Sequence, residues 1–146
     1  MRWSIPALAV ALVLAGCSAS ADVETVTESE AYERVESYVR RAATALPDGR
    51  IEPAAAPVSG PCRGNPPDRV VVRNSYWVRE LVDEDRHFDT MVRWWEKHDF
   101  EVLDDLRPER HYVWVENTED GFRMSLRNND KGELLLSAQS PCIASG

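Results

Sequence analysis

The chain has 146 residues, 43% of them hydrophobic and 29% charged, and a formal net charge of -8. That length holds one domain of ordinary size, and the composition is neither disordered nor fibrous. The excess of 25 acidic over 17 basic residues lacks the basic footprint of a nucleic-acid binder; no stretch approaches the roughly 20 apolar residues of a membrane span, and no repeat of roughly 20–50 residues is visible.

The chain begins with a short positive start at Arg2 and an apolar run from Ile5 to Ala15, interrupted only by Pro6. The run is too short to cross a bilayer but suits a secretory leader. It ends in Leu14-Ala15-Gly16-Cys17, an aliphatic residue, two small residues and a cysteine. This segment resembles the lipobox of bacterial prolipoproteins. The resemblance covers only the leader, residues 1–16, and implies that cleavage falls before Cys17, that the Cys17 sulfur carries a diacylglycerol, and that Cys17 is the mature N-terminus. A plain secretory peptide cut beside Ala19 or Ala21 is the alternative. Fifteen arginines against two lysines, with abundant alanine, resemble proteins of high-GC Gram-positive bacteria, so the chain is similar to small actinobacterial lipoproteins. Its expected place is the outer side of the cell membrane, lipid-anchored. One acyl chain binds a membrane marginally, at about 0.8 kcal/mol per buried CH₂, whereas two or three hold it stably. Without the leader, 16 basic face 25 acidic residues, a charge of -9, so an anionic membrane surface would repel the body while the lipid holds it.

With Cys17 assigned to lipid, Cys62 and Cys142 remain as an even pair in an oxidising compartment, and a disulfide between them is expected. It would close a loop of about 80 residues, worth roughly 4–5 kcal/mol in the chain-entropy model. Neither cysteine has another Cys or His within four residues, as a zinc site would require.

Residues 17–26 read as a polar tether and 27–146 as a single globular domain. Thr27 and Glu30 have capping-box spacing, and Ala31, Val35, Tyr38, Val39, Ala42 and Leu46 then recur within an arc of about 100°. Glu30 with Arg34, and Glu36 with Arg40, are favourable i,i+4 pairs, and Pro47-Asp48-Gly49 stops the helix. Residues 47–68 hold six of the nine prolines and read as an extended crossing segment with no regular element.

Arg69 to Glu80 reads as a long strand, with Val70, Val72, Tyr76 and Val78 on one face and Val71, Arg73, Ser75, Trp77 and Arg79 on the other. Asp83-Glu84-Asp85 sits where a helix start welcomes a capping carboxylate. Phe88, Met91, Val92 and Trp95 form the stripe of this second helix, which ends near His98, with Trp94 at its rim. Four short strands follow: Phe100–Leu103, His111–Glu116, Phe122–Arg127 and Glu133–Gln139, separated by turn-rich segments. The order α-β-α-β-β-β-β predicts an α+β fold, an antiparallel sheet of about five strands with both helices on one face.

Chemistry is harder to find. His87 and His98 would lie about 16 Å apart along one helix, too far to share an ion, and His111 has no neighbouring ligand pattern. Neither Asp83-Glu84-Asp85 nor Asn128-Asn129-Asp130 has the spacing of a calcium loop. Capping explains the first and hairpin geometry the second, so no metal and no cofactor are expected. No G-x-S-x-G, H-E-x-x-H, S-x-x-K or phosphate-cradling glycine loop occurs, and no catalytic residue is assigned. The sheet side away from the helices is more informative, because it would carry Arg73, Trp77 and Arg79 beside Arg123, Ser125 and Arg127. Such a surface suits an acidic or planar partner. The competing reading is a solvated face whose arginines pair with Glu101, Glu116 or Glu133. Trp94 is a second candidate contact on the helix rim.

The leading expectation is therefore a cell-envelope binding or interaction module for an envelope protein or acidic ligand. A carrier of a small apolar ligand between sheet and helices is the alternative, and an envelope enzyme using a carboxylate pair is a third. Cys17→Ala is expected to release or misprocess the protein. Unchanged membrane retention, with no acyl mass on the mature N-terminus by mass spectrometry, would defeat the lipobox assignment.

Overall fold

The computed structural model describes residues 25–64 and 67–146; the leader, Cys17 and the tether up to residue 24 lie outside them. Thr27 and Glu30 make the full capping box: the Glu30 N–H donates to Thr27 Oγ1 at 3.3 Å, and the Glu30 carboxylate accepts from the Thr27 N–H at 2.7 Å. Helix α1 (Glu28–Ala43) follows and buries Ala31, Val35, Val39 and Ala42, with Leu46 just beyond its end. Glu36 and Arg40 pair at 2.5 Å as their spacing predicts, whereas Arg34 reaches Asp120 at 3.3 Å because the cap has taken Glu30.

The strands are β1 (Arg50–Pro53), β2 (Val58–Pro61), β3 (Arg69–Arg79), β4 (Phe100–Asp105), β5 (Tyr112–Asn117), β6 (Arg123–Asn128), β7 (Leu134–Gln139) and β8 (Ile143–Ala144), with α2 (Asp85–Glu96) between β3 and β4. They form one antiparallel sheet in the order β1-β3-β7-β6-β5-β4, with β2 and β8 also paired to β3. One edge of β3 takes β2 at Val70–Arg73 and β1 at Tyr76–Arg79; its other edge takes β8 at Arg69–Val70 and β7 at Arg73–Val78.

The sheet thus has eight strands rather than about five. Two of the extra strands come from the proline-rich segment 47–68, which is not devoid of regular structure. An edge strand joins a ladder on one side only, so proline is tolerated there as it is not in a central strand; Pro53 and Pro61 both sit in such edge strands. The third, β8, has two residues and is too short to show a period. Cys62 and Cys142 form the expected disulfide, joining the residue after β2 to the residue before β8.

Both helices lie on one face of the sheet, α1 over β3 and β7 and α2 over β4 and β5. Between the layers Trp95, Phe88, Phe122, Met91, Met124, Leu126, Leu134 and Leu136 are completely buried. The Trp95 indole N–H points at Met124 Sδ, 3.3 Å away, so even its polar atom is used inside the core. Among the described residues no helix is long and apolar enough to cross a membrane.

The acidic run before α2 does not cap it through a side chain. Glu84 is the N-cap residue without a capping bond and pairs with Arg86 at 2.5 Å. Asp83 is claimed by two residues distant in sequence, His111 and Asn128, each at 2.7 Å.

Trp95→Ala removes the largest fully buried side chain and leaves a void between the layers. It is expected to lower the unfolding free energy by about 3–5 kcal/mol, measurable by urea denaturation.

Candidate functional site

Alternation along β3 sends Arg73, Ser75, Trp77 and Arg79 to the side away from the helices, as the sequence pattern predicts. The register of the neighbouring strands then aligns three rows across the sheet. Ser75 lies beside Ser137, Ser137 beside Ser125, and Ser125 beside Trp114. On one side runs Arg73–Gln139–Arg123–Glu116; on the other, Trp77–Leu135–Arg127–Tyr112.

The middle row makes the depression. Three successive serines reach only one oxygen beyond Cβ, while the flanking rows carry guanidinium, amide and indole groups. The result is a basin of about 410 Å³ floored by Ser75, Ser125 and Ser137 and bordered by Arg63, Arg73, Arg123, Arg127, Tyr112 and Trp114. Ser75 Oγ and Ser137 Oγ share a hydrogen bond at 2.8 Å.

The arginines of this face divide into two groups. Arg123 Nε donates to Glu116 at 2.5 Å while its guanidinium lies 5.2 Å from the centre of the Trp114 ring. Arg79 repeats the arrangement, donating to Glu133 at 2.5 Å, lying 3.5 Å from Glu52, and standing 5.2 Å over Trp77. These two carboxylate–guanidinium–indole stacks fix Trp114 at the basin and Trp77 beyond it, and in them Glu116 and Glu133 do take arginines. Arg73 instead donates through Nε to Gln139 at 3.2 Å. Among the described residues Arg63 and Arg127 have no carboxylate partner. Asn129 first, and then Arg79, hold the Glu133 carboxyl below its usual range.

Arg73, Trp77, Arg79, Arg123 and Arg127 therefore share one surface, but only Arg73, Arg123 and Arg127 border the basin. Trp94 lies apart on α2, stacked on His98 with ring centroids 3.8 Å apart and packed against the core. Sequence reasoning missed Tyr112 and Trp114, although they alternate with the core residues Val113 and Val115. It also missed Arg63, which carries no local signal because the adjacent disulfide decides its position.

A second cleft, of about 740 Å³, opens beside His111 and brings together the two acidic or amide runs of the sequence. Asp83 holds both the His111 Nδ1 and the Asn128 amide, and Asp85 lies 3.5 Å from His111 Nε2. Asn129 and Gly132, the latter at φ 73°, shape the β6–β7 hairpin. Among the described residues no group of three or more His, Cys, Asp or Glu side chains could hold a metal ion. The carboxyls of Asp105, held by Arg107, and of Glu30, held by Thr27, are displaced downward like Glu133, which is the direction of ion pairing and capping. A general acid would require the opposite.

Compared with protein-family models, curated proteins and solved structures, the chain has no match.

Because folding lowers the Glu133 pKa, the interaction stabilises the protein above the unfolded carboxyl pKa and is lost as pH falls below about 4. Melting temperature followed on acidification should fall less steeply in Glu133→Gln than in the native protein. Parallel curves would show that this carboxylate does not couple to folding.

Proposed function

We propose that the protein is a lipid-anchored binding module of the bacterial cell envelope. Diacylglycerol on Cys17 would hold it on the outer side of the membrane, and the open sheet face would receive an acidic partner. The observation that carries this reading is charge placed against the trend of the chain. On a protein of net charge -8, four arginines border one concavity and three of them, Arg63, Arg73 and Arg127, lack a carboxylate partner among the described residues. Like charges gathered without compensation are unfavourable in the free protein, and an acidic partner relieves them. Guanidinium groups add bidentate recognition of carboxylate or phosphate, which ammonium groups do not offer.

The anchor and the face support each other. The acidic body is repelled by anionic lipid headgroups, so retention falls to the acyl chains and leaves the protein surface for another task. The carrier reading has less support, because the layer between helices and sheet, where an apolar ligand would lie, is filled by aromatic and methionine side chains. Nor does an enzyme reading find support in the displaced carboxyls among the described residues, Glu30, Asp105 and Glu133, all of which move downward.

Arg73→Glu combined with Arg127→Glu reverses the charge of the face without touching the core. Crosslinking in intact cells followed by mass spectrometry should lose the envelope partner captured by the native protein, with membrane retention and melting nearly unchanged. Capture equal to the native level would reject this face as the binding surface.

A further inference from the structure

The basin is smaller and more uniform in its chemistry than a surface that receives a folded partner. Its polar groups are almost all donors. Arg73 uses only Nε on Gln139, which leaves its two terminal nitrogens as a fork. Arg63 and Arg127 offer whole guanidinium groups. Ser75 and Ser137 have two hydroxyl protons between them and use one in their mutual bond, so one remains to donate. Ser125 makes no side-chain hydrogen bond among the described residues. Of the neutral acceptors at the basin, Gln139 Oε1 already accepts from Arg73 and one of the Ser75/Ser137 hydroxyl oxygens accepts from the other.

We propose that this basin binds a small molecule through its oxyanion, a carboxylate or a phosphate monoester, gripped by Arg63, Arg73 and Arg127 over the serine floor. The inference rests on the binding-face reading above and names its ligand class. The volume of about 410 Å³ falls in the range of small-molecule sites. Charge-assisted bonds from guanidinium forks to carboxylate or phosphate are short, strong and directional. The Arg123–Trp114 stack is fixed by Glu116 before any ligand arrives, so that wall needs little ordering on binding.

The disulfide completes the site. Arg63 follows Cys62, whose sulfur is bonded to Cys142 and whose N–H donates to the Arg69 carbonyl at 3.2 Å. The disulfide thus helps to place Arg63, a guanidinium group without a partner among the described residues, at the basin, and its loss should loosen that placement.

The test is calorimetric titration of the purified, oxidised full chain in detergent with inorganic phosphate and with citrate, and separately with phosphatidylglycerol vesicles. Saturable binding of a free anion is expected, weakened about tenfold or more by Arg127→Gln. Reduction of the disulfide should weaken it as well, and Arg86→Gln, on α2 away from the basin, should not. Melting of Arg127→Gln should match the native protein. Absence of saturation by either free anion, or equal affinity in Arg127→Gln, would overturn the proposal. Response to vesicles alone would also overturn it, assigning the basin to a lipid headgroup. If crosslinking still depends on Arg73 and Arg127 while no anion binds, this inference fails and the module reading stands. If anions bind while crosslinking ignores those arginines, the module reading fails instead.

Discussion

Strand β3 is the constraint from which the rest of the structure follows. It is hydrogen-bonded on both edges along nearly its whole length, and its two-residue period decides at once what the core contains and what the open face presents. Val72, Tyr76 and Val78 go inward, and Arg73, Ser75 and Trp77 go outward. A slip of one residue would exchange the two sets and abolish both core and basin. The register is pinned by a polar anchor as well as by apolar packing. Glu36 on α1 accepts hydrogen bonds from the Asn74 amide at 2.7 Å and the Tyr76 hydroxyl at 2.5 Å, with Arg40 on its other oxygen. Burial and this carboxylate push the Tyr76 hydroxyl pKa up, so the phenol remains a donor. A half-buried network with its members satisfied specifies one docking of helix on strand, where a purely apolar contact would allow several.

The disulfide acts on the same strand from outside. β2 has four residues and β8 two, lengths that a ladder alone holds poorly, and each pairs with the N-terminal part of β3 on opposite edges. The Cys62–Cys142 bond, spanning 80 residues of sequence, joins the two across it. The Arg69 guanidinium donates to the Cys142 carbonyl at 2.6 Å, so β3 itself fastens the link. Closing a loop of that length removes conformational freedom from the unfolded chain worth roughly 4–5 kcal/mol in the entropic account. That is a substantial share of the stability of an ordinary domain.

Where a period was long enough to be sampled, the sequence was legible. The β3 alternation, the α2 stripe and the four-strand meander appear within one or two residues of their expected bounds, and the α1 stripe is in place although its helix ends at Ala43, three residues before Leu46. What escaped was either short or nonlocal. β1, β2 and β8 have too few residues for a period, and prolines that rule out a central strand do not rule out an edge. Asp83 looked like a cap because the sequence shows its neighbours Glu84 and Asp85, not His111 and Asn128, which the fold brings to it. The candidate face was half legible. Arg73, Arg123 and Arg127 followed from alternation, and Trp114 and Tyr112 obey the same rule on a strand, His111–Glu116, whose two faces the sequence reading did not assign. Arg63 obeys no rule of spacing, since a covalent bond to a residue 80 positions from Cys62 decides its place.

The proposed anion site on an acidic protein presents an electrostatic tension that distance resolves. At physiological ionic strength the Debye length is about 8 Å, so carboxylates on the far side of the helices barely affect a charge in the basin. Of the nearer carboxylates, Glu116 is paired with Arg123 and Glu133 with Arg79, while Glu109 and Asp130 line the neighbouring cleft that shares Arg127 with the basin. Each pair is close to neutral as seen from the serine floor, which leaves Arg63, Arg73 and Arg127 as the cations bordering the basin without a carboxylate partner among the described residues. Long-range repulsion would slow the approach of an anion, while short-range attraction would govern how long it stays. Net charge therefore sets the rate of encounter and the arrangement of the arginines sets selectivity; an acidic isoelectric point does not predict the sign of the ligand that a local basin will hold.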